Sequence, residues 1–229
     1  MRFTAVVVAG LLAASSAVQA QDASHAVADG GIKVAGWQGK IDPGEAKGGG
    51  KLEGAKLEKS GDDLRVTTGP AVAYWNPTNV AKGNYTVKAS FTEEKFMGLN
   101  NHPHPYGVFI GGNDMGTDKQ SYLYCTAYGD GRFIVRGFSG DSTFRLNGRG
   151  EPNAAIHKAS AVGTSVTQEI ALSVKGDKIE CAINGQVVGS YDKSAAVGAN
   201  KLTSTDGVYG IRFGHNTDAV VHGLTLTKN

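Results

Sequence analysis

Apolar and polar side chains alternate with period two along most of the chain, the pattern of strands with one buried face. In Asn84–Glu94, "NYTVKASFTEE", the residues Tyr85, Val87, Ala89 and Phe91 share one side. "DLRVTT" (63–68) and "AVAYWN" (71–76) read the same way, and "YGVFIGG" (106–112) reads as a buried strand. A series of hairpins follows. "SYLYCTAY" and "RFIVRGF" are joined by Gly129-Asp130-Gly131, and "QEIALSVK" and "KIECAI" by Gly176-Asp177. Asn184-Gly185 joins "KIECAI" to "QVVGSY", a dipeptide suited to a type I′ turn because both central residues need positive φ. "GVYGIRFG" and "AVVHGLTLT" close the chain. No segment has helical periodicity, although "DKSAAVGAN" has room for one turn, and no unit repeats at a fixed spacing. The pattern predicts an all-β, two-sheet antiparallel sandwich. The consecutive hairpins from Ser121 to Tyr191 are expected to form a meander within one sheet.

Alternation also assigns faces. Leu123, Cys125 and Ala127 point to the core, as do Phe133, Val135, Ile170, Leu172, Val174, Ile179, Cys181 and Ile183. Tyr122, Tyr124, Tyr128, Arg132, Arg136 and Glu169 then fall together on the outward face of the predicted meander. Aromatic rings cover the apolar C–H faces of pyranoses, and guanidinium and carboxylate groups fix hydroxyls. This face is the candidate sugar site; the competing reading is ordinary strand surface, on which Tyr and Arg are common.

Composition adds the compartment. The opening "MRFTAVVVAGLLAASSAVQA" has one cation, an apolar stretch shorter than the ~20 residues a bilayer span needs, and a small-x-small end. Residues 1–20 are expected to be a signal peptide, 21–31 a flexible linker and 32–229 a single domain, placing the protein outside the cell or in the periplasm. No later run is apolar enough to span a membrane. Glycine, 33 of 229 residues without a collagen-like period, fits frequent tight turns. The formal net charge of +2 falls to +1 once Arg2 leaves with the leader. Lys47, Lys51, Lys56 and Lys59 are interleaved with acids, so nucleic acid is not an expected partner.

The run "QEIALSVKGDKIECAINGQVVGSYD" followed by "DGVYGIRFGHNTDAVVHGLTLTK" resembles the second half of a concanavalin-A-like (laminin-G-like) jelly roll. "GWQGK", "TTGPAVAYWN" and "GNYTVKASFTEE" fit its first half. Within that group the chain is similar to exported bacterial glycoside hydrolase domains of the 3-keto-disaccharide hydrolase type. The resemblance implies a jelly-roll sandwich, a carbohydrate partner and calcium as a candidate ion, for which "GGNDMGTDK" and "YGDGR" offer oxygen ligands. No organic cofactor is called for. The Glu-x-Asp-x-x-Glu run of retaining glycosidases with this fold is missing, and Glu93-Glu94 alternate across a strand, so they cannot share one substrate. Three functions stay open: a carbohydrate-binding domain, a glycoside hydrolase or lyase assisted by a metal, and a structural envelope protein.

"LNNHPHPYG" (99–107) holds two of the six histidines. Each is followed by proline, which fixes φ and favours extended residues before it. His102 and His104 are read as a rigid rim of the ligand site. A metal clamp is the competing reading; it needs further ligands, for which Asp114, Asp118, His157 and His215 are candidates, and no metal is assigned. Export and an even count favour a Cys125–Cys181 disulfide. The predicted meander instead sets the two strands roughly 14 Å apart, too far to bridge. Two buried free thiols are expected on that geometry.

Overall fold

The computed structural model describes residues 24–229. The expected leader, 1–20, lies outside the described residues, as do 21–23. Strands β1 (Gly31–Ile32), β3 (Ala55–Ser60), β4 (Asp63–Thr68), β6 (Tyr85–Glu93), β12 (Val166–Lys175), β13 (Lys178–Ile183), β14 (Gln186–Asp192) and β16 (Asp218–Lys228) form the first sheet, in the order β1-β3-β4-β16-β6-β12-β13-β14. The second sheet contains β2 (Gln38–Ile41), β5 (Val72–Ala81), β7 (Tyr106–Asn113), β8 (Ser121–Ala127), β9 (Arg132–Ser139), β10 (Ser142–Arg145) and β15 (Gly207–Phe213), in the order β10-β9-β8-β7-β15-β5-β2. The short β11 (Glu151–Pro152) adds to β9. Among the described residues these strands pair antiparallel except β1 with β3. Two short helices, α1 (Pro43–Lys47) and α2 (Lys193–Ala196), lie between strands. Among the described residues no helix is long and apolar enough to cross a membrane.

The core lies between the sheets and is built as the alternation requires. Tyr85, Val87, Ala89, Phe91, Leu172 and Ile179 come from the first sheet; Val108, Ile110, Leu123, Val135 and Ile211 come from the second. Asn184 and Gly185 both have positive φ, 51° and 79°, as a type I′ turn demands.

Three expectations are corrected. The hairpins do not form one meander: β8 and β9 belong to the second sheet, β12 to β14 to the first, and residues 146–165 cross between them. Turn chemistry fixes which strands pair locally but not which layer receives the next hairpin. Cys125 and Cys181 therefore face each other across the core rather than along a sheet. They form a disulfide with a Cα–Cα distance of 5.9 Å, and the free-thiol expectation is overturned. Finally, residues 24–31 of the expected linker are docked. Ser24 Oγ donates to Glu45 Oε2 at 2.7 Å, the Val27 amide to the Gly54 carbonyl at 3.0 Å, and Gly31–Ile32 pairs with β3.

Candidate functional site

The outward face of the second sheet is not a solvated surface. Ala73, Trp75, Phe109, Tyr122, Tyr124, Ile134 and Phe138 form a second apolar cluster there, packed on by Met115, Tyr128 and Val208. The sheet is thus buried on both sides. At one end the cover opens into a cleft of about 1180 Å³. Its floor is Tyr124, Tyr128, Ile134, Arg136, Phe138 and Arg212. Its walls come from residues 42–54, from His104-Pro105 and from Gly214-His215.

Arg212 joins this floor because β15 alternates: Ile211 and Phe213 enter the core, so Arg212 points to the other side. Its guanidinium donates to Asp42 Oδ2 at 2.6 Å and to the Val72 carbonyl at 3.0 Å, and also to the Phe213 carbonyl. It sits 5.4 Å from the Tyr124 ring and 5.9 Å from that of Phe138, within cation–π range. Burial opposes its charge, but the Asp42 carboxylate together with the Tyr122 and Tyr124 hydroxyls outweighs that and holds Arg212 protonated. Burial raises the Asp42 carboxyl above its ordinary value, against the pull of Arg212. Arg136 donates to Thr143 Oγ1 at 2.8 Å. Asp42 Oδ1, Arg136 Nε, Arg212 Nε and His215 Nε2 are buried without a protein hydrogen-bond partner.

Three imidazoles meet at the cleft edge, with one ring nitrogen of each of His102, His104 and His215 within 4.8 Å of the others. His102 and His104 arrive on the proline-stiffened loop, and His102 Nε2 is 2.9 Å from His104 Nε2. His215 arrives on the β15–β16 turn. Buried Thr68 pins that turn, its hydroxyl donating to the Gly214 carbonyl (2.7 Å) and accepting from the Thr217 amide (2.9 Å). The two loops are joined by the Gly214 amide donating to the Pro105 carbonyl at 2.7 Å. A Cβ on Gly214 would come within 2.9 Å of Pro105 and 3.0 Å of His104, so only glycine allows this approach. Burial, then the neighbouring imidazoles, lowers His104 to about 3, so it is neutral near pH 7. Behind His215 lies Glu45, 3.6 Å from Nδ1. Burial would raise Glu45, but contacts from His215, Ser24 and the Ala71 amide outweigh it and hold the carboxyl at about 2.

The expected site residues are placed as follows. Tyr124, Arg136 and His104 line the cleft, and His102 touches His104. Tyr122 is 1 % exposed and sits within the outer cluster beside Tyr124 and Phe138. Arg132 is held by Asp130 at 2.7 Å and lies over the Tyr128 ring, flanking the cleft. Glu169 is separated from all of them. It stands on the outer side of the first sheet, paired with Lys88 at 2.9 Å, because β12 belongs to the other layer. Asp42, Glu45 and Arg212 were missed. The available signal was the outward cation in "GIRFG"; its partner lies 170 positions away, beyond the reach of periodicity.

No protein-family model matches the chain, and no curated protein does. Solved structures do. A Bacillus subtilis protein of unknown function with a galectin-like fold is 10% identical over 84% of this chain and 89% of its own, with a TM-score of 0.51. The carbohydrate binding module CBM66 from Bacillus subtilis is 10% identical, covering 87% of this chain and 99% of its own, at 0.48. Sheep galectin-11 in complex with glycerol is 12% identical, over 65% and 92%, at 0.42. The fold is a galectin-like, concanavalin-A-like jelly roll.

Proposed function

We propose that this protein is an exported carbohydrate-binding domain whose glycan lies in the cleft over Tyr124, Phe138 and Arg136. The observation that carries the reading is the union of an aromatic floor with the charged and polar side chains of Arg136, Arg212 and Glu45 in one cleft. Sugar hydroxyls both donate and accept, so a pyranose edge suits the guanidinium of Arg136 and the polar groups of Glu45 and His215 that line the cleft, while ring C–H faces suit Tyr124 and Phe138. Export rests on the leader pattern and fits the Cys125–Cys181 disulfide, a bond that persists in oxidising compartments.

A glycan array with the mature chain tests this, read beside an assay for released sugar. Retention of a defined subset of glycans without product release is the expected result. Arg136→Ala should weaken that retention by about tenfold, the loss of one charged hydrogen bond, with Tm unchanged. Retention of no glycan, or equal retention by Arg136→Ala, overturns the proposal; product release from the retained glycan would make the domain an enzyme.

A further inference from the structure

The three imidazoles at the cleft edge pack ring against ring, with the His104 centroid 4.4 Å from that of His102 and 3.8 Å from that of His215, and bring one nitrogen of each within 4.8 Å of the others. His102 Nδ1 is 2.6 Å from Asn101 Oδ1. An amide oxygen only accepts, so His102 carries its proton on Nδ1 and turns the Nε2 lone pair towards His104. On His215, Nδ1 faces the Glu45 carboxylate, and Nε2 is buried with no protein hydrogen-bond partner. The His215 side chain is 11 % exposed, so that nitrogen has little access to bulk water.

We propose that His102, His104 and His215 bind one divalent first-row transition cation such as Zn²⁺ through their Nε2 atoms, with the fourth position open to the cleft. Zinc–imidazole bonds are about 2.0–2.1 Å, which sets tetrahedral N···N separations near ~3.4 Å. Here the Nε2 atoms of His102 and His104 are 2.9 Å apart, and one ring nitrogen of each of the three histidines lies within 4.8 Å of the others. Asn101 and Glu45 occupy the outer positions that orient metal-bound imidazoles. Both loops are held: prolines 103 and 105 stiffen one, Thr68 pins the other, and the Gly214–Pro105 hydrogen bond joins them. An all-imidazole set selects zinc, nickel, copper or cobalt over calcium, which takes oxygen ligands. The site stands independently of glycan binding. If a sugar does enter the cleft, one of its hydroxyls can take the open position in place of water.

The test uses the untagged mature chain, stripped with chelator and titrated with Zn²⁺ alone. Calorimetry should find one ion per chain, and Tm should rise by about 5–10 °C at about a hundredfold excess over Kd. Calcium should produce no such shift. Because His215→Ala disturbs a buried turn, His102→Ala in the partly exposed loop is the decisive variant. It should bind Zn²⁺ at least about tenfold more weakly while keeping the metal-free Tm, and Glu45→Gln should weaken binding by about 10–100-fold. Absence of stoichiometric Zn²⁺ binding overturns the proposal. So does binding that His102→Ala leaves unchanged, which would place the ion at another histidine. None of these readouts involves a glycan, so failure here leaves the carbohydrate reading intact, and failure on the array leaves this one intact.

Discussion

Removing the Cys125–Cys181 bond should destabilise the sandwich by an amount that follows from the chain segment it closes. The two cysteines are 56 positions apart and bridge opposite sheets. In the chain-entropy account, closing a loop of that size removes enough freedom from the unfolded chain to be worth about 4 kcal/mol. For a domain of this length each kcal/mol moves Tm by about 2–4 °C, so the drop should be roughly 8–16 °C. Two perturbations with different side effects should converge. Reduction of the wild-type protein keeps both sulfur atoms in the core, whereas the Cys125→Ala/Cys181→Ala variant removes them and leaves small voids. Urea unfolding and thermal scans, with and without reductant, give both values. The variant should be indifferent to reductant and the wild type sensitive to it. A wild-type Tm that falls by less than about 3 °C on verified reduction would refute the reasoning, because the cross-link would then constrain little in the unfolded chain.

Glu93 is buried at the end of β6, and burial raises its carboxyl to about 7. A raised acid contributes stability below its unfolded value of about 4.5 that is lost as pH climbs through about 7, here at most about 3 kcal/mol. Glu93→Gln should therefore gain on the wild type between pH 5 and pH 8 in urea titrations; a gap independent of pH would contradict this. Asp42→Ala leaves the buried Arg212 guanidinium without its carboxylate and should cost about 3–5 kcal/mol. A loss below about 1 kcal/mol would show that water replaces the partner. Tyr124→Ala should cost about 3–5 kcal/mol, since the ring is 5 % exposed within the outer cluster, whereas Tyr124→Phe, which keeps the ring and loses only the hydroxyl's hydrogen bond with Arg212, should cost about 1–2 kcal/mol.

Periodicity made much of this fold readable. The inward sets on β6, β8, β12 and β13 are those the alternation picks out, and Asn184-Gly185 makes the turn its chemistry requires. What alternation cannot carry is layer identity: it separates in from out but says nothing about which of two sheets a strand joins. That ambiguity misplaced Glu169 and separated Cys125 from Cys181. Strand β3, "AKLEKS", was hidden in a charged run whose polar residues occupy its outer face. The candidate site divides the same way. Tyr124, Arg136 and His104 could be read from local pattern. The Arg212–Asp42 pair and the meeting of His215 with the His-Pro loop depend on contacts between residues far apart in the chain.

A sheet packed on both sides also governs how such a protein could diversify. Replacing a floor residue such as Tyr124 or Phe138 disturbs an apolar layer that supports the domain, so most such changes would be lost to misfolding before any new preference could be selected. The walls are different. Residues 42–54, 102–105 and 214–215 lie in loops, turns and short helical turns outside the sheet ladders. In a lineage built on this scaffold, new binding preferences should therefore accumulate in those three segments, while the aromatic platform beneath them stays constant.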